Sequence, residues 1–176
     1  MSELEEAARE IRQTFEDAII WCNEAKGAVR SGVDKNKMKH EFKVLPAEIS
    51  WFSVDTYHFH PSENYAKSVR LFYENWVYPK LHDHQAVLVI PGAFGSRHHK
   101  KCSLACYDRF CSKDAWDFYD WAVDDDRVVA IAPYHWNTCP HCKQTKNEVG
   151  AKYLNRTKSA WREIGKRIID ACEVKG

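Results

Sequence analysis

Four short runs rich in β-branched and other apolar residues recur along the chain: Ala18 to Asn23, Ile49 to Asp55, Ala86 to Ile90 and Val128 to Ala132. Each is followed by a polar stretch and then by apolar residues at helical spacing, and none turns straight back into the next. This cadence predicts strand, crossover, strand, with parallel strands buried on both faces. Leu4, Ala7, Ala8, Ile11 and Phe15 keep helical spacing and predict an opening helix whose apolar stripe lies against the first strand. From Glu24 to about Leu45 the chain is rich in lysine and poor in apolar residues, which reads as a long loop with at most a short helix. Tyr65, Val69, Phe72, Tyr73, Trp76 and Val77 predict a helix that begins near Ser62 and stops at Pro79. Ala115, Phe118, Tyr119 and Ala122 predict a shorter helix capped by Ser112, and Trp161, Ile164, Ile168 and Cys172 predict the last one.

Four such units build either a small open, doubly wound sheet covered on both faces or half of a TIM-type (β/α)8 barrel. An isolated half exposes two strand edges and one barrel-facing set of apolar side chains, which predicts association with a second copy or with the missing barrel half. In both architectures chemistry gathers at the carboxyl ends of the strands. Those ends carry Asn23-Glu24, Asp55-Thr56-Tyr57, Pro91 to Gly95 and Pro133 to Trp136.

Composition narrows the picture. A chain of 176 residues, 44% of them apolar, is the size of one domain spanning 1–176. The balance of 26 basic against 25 acidic residues leaves a net charge of +1, with no long-range field favouring nucleic acid or an anionic membrane. The basic clusters Lys35 to Lys43 and Arg97 to Lys101 read as solvated faces. No apolar run approaches the roughly 20 residues of a membrane span, and the amino terminus reads as an acidic amphipathic helix rather than a signal peptide. Asn155-Arg156-Thr157 matches the glycosylation acceptor pattern, which is too short to carry weight.

Of seven cysteines, Cys22 and Cys172 read as plain buried thiols. Cys102, Cys106, Cys111, Cys139 and Cys142 fall in two expected loop regions, about 96–112 and 137–150. Disulfides there would hold irregular loops at a gain of roughly 2–4 kcal/mol per bridge. A structural zinc is the alternative, since Cys139 and Cys142 have the spacing zinc prefers, although a second Cys-x2-Cys is absent. A redox pair is a third reading.

From Ala18 to about Trp161 the chain resembles the carboxyl-terminal half of a glycoside-hydrolase-like (β/α)8 barrel of a poorly characterised eukaryotic kind. The stretches that carry the resemblance are 19–25, 52–57, 87–96 and 129–137, with the Asn23-Glu24 pair, Asp55-x-Tyr57 and Trp136 at the strand ends. The resemblance implies that these are the fifth to eighth strands, that the protein acts on carbohydrate, and that it is secreted, which favours disulfides over zinc. The strand-end acids of the first four units are not in this chain, so the resemblance leaves open whether the chain is an active enzyme or an inactive half.

The residues agree in kind. Glycosidic cleavage uses two carboxyl groups, roughly 5–5.5 Å apart for retention and about 6.5–9.5 Å for inversion. Glu24 and Asp55 end adjacent strands and are the catalytic candidates, Glu24 as acid and Asp55 as the ionised partner. Tyr57, Phe94, Arg97, Tyr134 and Trp136 are the substrate-binding candidates, the aromatic rings offering flat faces for sugar C–H groups. His58 and His60, with His98, His99 and His135, are permissive for a catalytic metal, but ordinary loop histidines are the favoured reading, so no metal or other cofactor is expected. The alternatives from other classes are a non-catalytic carbohydrate-binding or protein-interaction module and a zinc-stabilised binding module.

Overall fold

Parallel neighbours need a crossover between them, and the four apolar runs take that form. The computed structural model describes residues 3–29, 44–56, 64–97, 102–138 and 147–173. In chain order the elements are α1 (Glu3–Thr14), β1 (Trp21–Ala25), α2 (Lys26–Val29), β2 (Trp51–Asp55), α3 (Tyr65–Phe72), β3 (Ala86–Val89), β4 (Phe94–Ser96), α4 (Leu104–Asp124), β5 (Val128–Ile131), β6 (Glu148–Gly150) and α5 (Asn155–Glu173). The main sheet has four strands in the order β1-β2-β3-β5, all parallel. That order follows the chain without reversal, so the sheet has no topological switch point of the doubly wound kind.

The register separates the two faces. Cys22 aligns with Phe52, Glu24 with Val54 and Phe52 with Val87, so these side chains share one face. That face carries the core: Cys22, Phe52, Val54, Val87, Val89 and Val128 pack with Tyr65, Val69, Phe72, Tyr73, Val77, Phe118 and Trp121 from the helical layer. The opposite face carries Trp21, Asn23, Ala25, Trp51, Ser53, Asp55 and Leu88, and none of them belongs to that core. Burial on both faces was the expectation from the sequence. Among the described residues the helical core packs on one face; on the other, helix-free face Ser53 and Leu88 are buried but Trp21 is 50% exposed.

Between Val87 and Leu88 the pairing with β5 slips, so that Val128 faces Val87 and Ala130 faces Leu88. Val129 is the extra residue, and it is 46% exposed on a strand whose pattern predicted burial. A second irregularity lies between β2 and β3, whose ladder register runs only from Trp51↔Ala86 to Phe52↔Val87. Beyond it the Tyr73 hydroxyl accepts from Val54 N–H at 2.9 Å and donates to Leu88 C=O at 3.5 Å. A side chain from the helical layer thus takes the place of a ladder bond. Tyr73→Phe keeps the ring but leaves a buried N–H without its acceptor, and is expected to lower stability by about 1–3 kcal/mol in urea unfolding.

Helix α3 runs on as a π turn over Tyr73–Val77 and a 3-10 turn over Tyr78–Lys80, which contains Pro79, close to the stop the sequence predicts. Helix α4 departs from expectation. It begins at Leu104, not near Ala115, and its cap is Ser103, whose Oγ accepts from Cys106 N–H at 3.3 Å; Ser112 lies inside it. Most of the region expected as a cysteine loop is therefore helical, because the run Leu104, Tyr107, Cys111, Ala115 and Phe118 keeps the same 3.6-residue period as the helix it joins.

Helix α1 forms over the predicted residues, but Ala8 is its only buried side chain, while Leu4, Ile11 and Phe15 are exposed. Polar contacts fasten it instead. The Arg12 guanidinium donates to the carbonyls of Glu16, Ala18 and Glu48 and to Ser50 Oγ, and Arg9 meets Glu48 at 3.3 Å. In α5, Ile164 is buried but Ile168 and Cys172 are exposed, so Cys172 is not the buried thiol the spacing suggests. Asp108 of α4 holds the start of α5, accepting from the backbone N–H of Arg156 and Thr157 and from the Thr157 hydroxyl. The threonine of the glycosylation pattern is thereby buried and engaged.

Candidate functional site

Along β1 and β2 a polar chain runs on the helix-free face from Trp21, at the start of β1, to Asp55, at the carboxyl end of β2. Trp21 Nε1 donates to Ser53 Oγ at 2.8 Å, Ser53 Oγ donates to Asn23 Oδ1 at 2.6 Å, and Asn23 Nδ2 donates to Asp55 Oδ1 at 2.9 Å. Alternation along each strand puts all four side chains on one side, and parallel register brings Ser53 beside Asn23 and Asp55 beside Ala25. Asp55 is therefore fixed by a neighbour whose own orientation is fixed in turn. Asn23 contributes the donor, a role the sequence reading did not give it.

Glu24 lies elsewhere. It aligns with Val54 and shares the helix-covered face with Cys22, whose thiol is pushed up to about 11 by burial and, secondarily, by the Glu24 charge. The structure does not bring Glu24 and Asp55 together, because residues of odd and even alignment on adjacent parallel strands face opposite sides.

A second cluster follows β5. Segment 134–138 is bound to the connection after β6: Ala151 N–H donates to His135 C=O, Lys152 N–H to Trp136 C=O and Gly150 N–H to Thr138 Oγ1. The Tyr134–His135 peptide is cis. Gly150 is required by this approach, since a Cβ there would lie 2.6 Å from the Trp136 carbonyl oxygen. The short antiparallel pair of β4 and β6, which the sequence did not announce, sets Phe94 against Gly150 and Ser96 against Glu148.

Phe94 is buried, with its ring 5.9 Å from Tyr134 and 5.3 Å from His135, so it packs the site rather than presenting an open face. Tyr134 is partly exposed, and burial, then the charges of Glu148 and Asp55, push its hydroxyl up. The Tyr134 phenol thus lies within electrostatic reach of both acids. His135 Nε2 and Glu148 Oε2 are 3.1 Å apart, and both side chains are largely buried. Sequence reasoning missed Glu148; its only signal was a Glu directly preceding an apolar-glycine pair after the cysteine segment. Trp136 is 49% exposed and Arg97 is exposed, its backbone N–H bonded to Asn147 C=O. Tyr57, His58, His60, His98, His99, Cys139 and Cys142 lie outside the described residues.

The expected disulfide chemistry is present in part. Cys102 and Cys106 form a disulfide across the first turn of α4, whereas Cys111 is a buried free thiol whose Sγ donates to Phe94 C=O at 3.5 Å. Burial, with the charges of Asp114 and Asp108, pushes that thiol up to about 12, which leaves it protonated and inert. Among the described residues no group of three or more His, Cys, Asp or Glu side chains could hold a metal ion, and no helix is long and apolar enough to cross a membrane.

No protein-family model, no curated protein and no solved structure matches this chain.

Proposed function

We propose that this chain is a carbohydrate-active, glycoside-hydrolase-like half-barrel, with the sugar lying on the helix-free face at the carboxyl ends of the strands. The observation that carries this reading is the one-sided sheet. Four parallel strands in chain order, with helices and core on one face and the bonded chain Trp21, Ser53, Asn23 and Asp55 on the other, match what half of a (β/α)8 barrel turns inward. Asp55 is the carboxylate of the site. Exposed Trp136 supplies a flat apolar face on which a sugar ring stacks, and the Tyr134 hydroxyl supplies a polar tip.

Closure of the barrel requires four further strands, from a second copy or from another segment, laid against the outer edges of β1 and β5. The Cys102–Cys106 bridge fits an oxidising compartment and therefore a secreted protein. The non-catalytic alternative uses the same face for binding alone.

Titration of the chain with a panel of neutral oligosaccharides, read by tryptophan fluorescence, tests the reading. Saturable quenching is expected for at least one oligosaccharide, and Trp136→Ala and Asp55→Asn are each expected to weaken it about tenfold, a loss of about 1.4 kcal/mol. Absence of saturable binding across the panel, or parent-like affinity in both variants, overturns it.

A further inference from the structure

We propose that the Cys102–Cys106 bridge is a thiol-exchange site, opened by an acidic low-molecular-weight thiol that enters the cavity between the starts of α4 and α5 and attacks Cys106 Sγ. The inference goes beyond the sugar-facing reading and does not depend on it.

The two sulfurs are not equivalent. Cys102 is 8% exposed, whereas Cys106 is partly exposed and lines an open cavity of about 390 Å³ together with Ser103, Ala105, Asp108, Arg109 and Arg156. Exchange requires a thiolate to reach one sulfur of the bridge, and access selects Cys106.

The charge of the cavity selects the attacker. Arg109 follows Cys106 by three residues on α4, the spacing that puts two side chains on one helix face, and Arg156 lines the same cavity from the start of α5. Asp108 is the opposing charge, and its oxygens accept from the N–H groups of Arg156 and Thr157 and from the Thr157 hydroxyl. Two cations against one anion leave the cavity positive. Cys106 also sits in the first turn of α4, a helix of 21 residues, where the dipole has the same sign. A thiol that carries its own carboxylate or sulfonate is therefore drawn in ahead of a neutral one, and the thiolate that Cys106 becomes on opening is favoured by the same surroundings.

Little of the fold hangs on the bridge. It joins residues only four apart, a loop whose closure removes little freedom from the unfolded chain. The turn it spans is already capped by Ser103, whose Oγ accepts from Cys106 N–H. Opening leaves α4 in place and changes the chemistry at its start. Cys111 takes no part, since its buried thiol stays protonated in its bond to Phe94 C=O.

The small thiol is itself the reductant. Its thiolate forms a bond to Cys106 Sγ as the bridge bond breaks, and the electron pair of that bond leaves on Cys102 Sγ, which takes a proton from solvent. A second thiolate of the same kind then attacks the sulfur of the first and releases Cys106 as a thiolate. Two small thiols end as one disulfide, and the bridge has gained two electrons.

The test compares 2-mercaptoethanesulfonate with 2-mercaptoethanol on the full chain, with rapid alkylation and mass spectrometry of the peptide that carries both sulfurs. At low salt the sulfonate thiol is expected to open the bridge about tenfold faster. The trapped intermediate is expected to carry the small thiol on Cys106 and the alkyl group on Cys102. Salt at about 0.5 M, and independently the double variant Arg109→Gln with Arg156→Gln, is expected to bring the two rates together. Both arginine side chains are exposed, and Arg156 meets Asp108 through its backbone, so the variant keeps the fold. Equal rates in the parent at low salt, an adduct on Cys102, or a preference that survives loss of both arginines overturns the proposal. Two free thiols on that peptide in the air-oxidised chain overturn it as well.

Discussion

Phe118→Ala is expected to lower the unfolding free energy by about 3–5 kcal/mol, the usual cost of emptying a fully buried aromatic site. Phe118 is 0% exposed and sits where α4 meets α3, its ring 5.6 Å from Tyr65 in an edge-to-face contact and 5.9 Å from Trp121. Both partners belong to the larger core cluster, on the helical side of the sheet, and none of the helix-free-face residues Trp21, Trp51 and Leu88 contributes to it. Urea unfolding followed by tryptophan fluorescence checks this, and with a slope of roughly 2 kcal/mol per molar the midpoint falls by about 2 M. A shift below about 0.5 M would mean that the site collapses around the smaller side chain.

Asp125→Ala is expected to cost about 3 kcal/mol at neutral pH and to change the response to acid. The carboxylate terminates α4 and collects the Tyr78 hydroxyl at 2.7 Å, Trp121 Nε1 at 3.3 Å and the Arg127 guanidinium and backbone N–H at 3.0 to 3.3 Å. The Arg127 guanidinium also lies over the Tyr78 ring, 3.4 Å from its centre. Burial pushes the Asp125 carboxyl up, but the bonds from Arg127, Tyr78 and Trp121 outweigh it and hold it below the usual carboxylate range. Its stabilisation is therefore complete above about pH 4 and is lost as the pH falls through the depressed folded value. The variant should lose that part of the acid dependence, and an unchanged acid limb would show that other carboxylates govern it.

Asp114 acts in the opposite sense. Buried in α4 with Oδ1 unpartnered among the described residues, it is pushed up to about 7 by burial and by Asp117, against the opposing pull of Lys113. Between pH 3.8 and about 7 the folded chain keeps a proton that the unfolded chain has released, so this group makes stability fall as pH rises across that window.

The strands were the most legible part of the sequence. Val87, Val89 and Val128 announce themselves by β-branching, and β3 and β5 begin at the predicted residues, while β1 and β2 begin two or three residues late because Ser50 N–H and Trp51 N–H bond back to Ile20 C=O before the ladder proper. What the pattern could not show is sidedness. Trp21 and Val129 satisfy a rule for buried strands, yet a bulge and a polar neighbour leave them exposed. The length of α4 was obscured by Cys102, Cys106 and Cys111, whose chemistry suggested a loop where their spacing allowed a helix. At the site, Asp55 was legible as a strand-end acid, but its separation from Glu24 depends on a one-residue difference in register. The approach of Glu148 to His135 depends on the β4–β6 pairing, formed by segments too short to show a period.

The phenol of Tyr73 belongs to two layers at once, as a member of the helical core and as a rung between β2 and β3. The helical cover cannot lift away without unfastening the strand tips, and the tips cannot spread without dragging on the cover. A shift of the β2 tip beside Asp55 therefore strains, through one hydroxyl, the helical layer on the other side of the sheet.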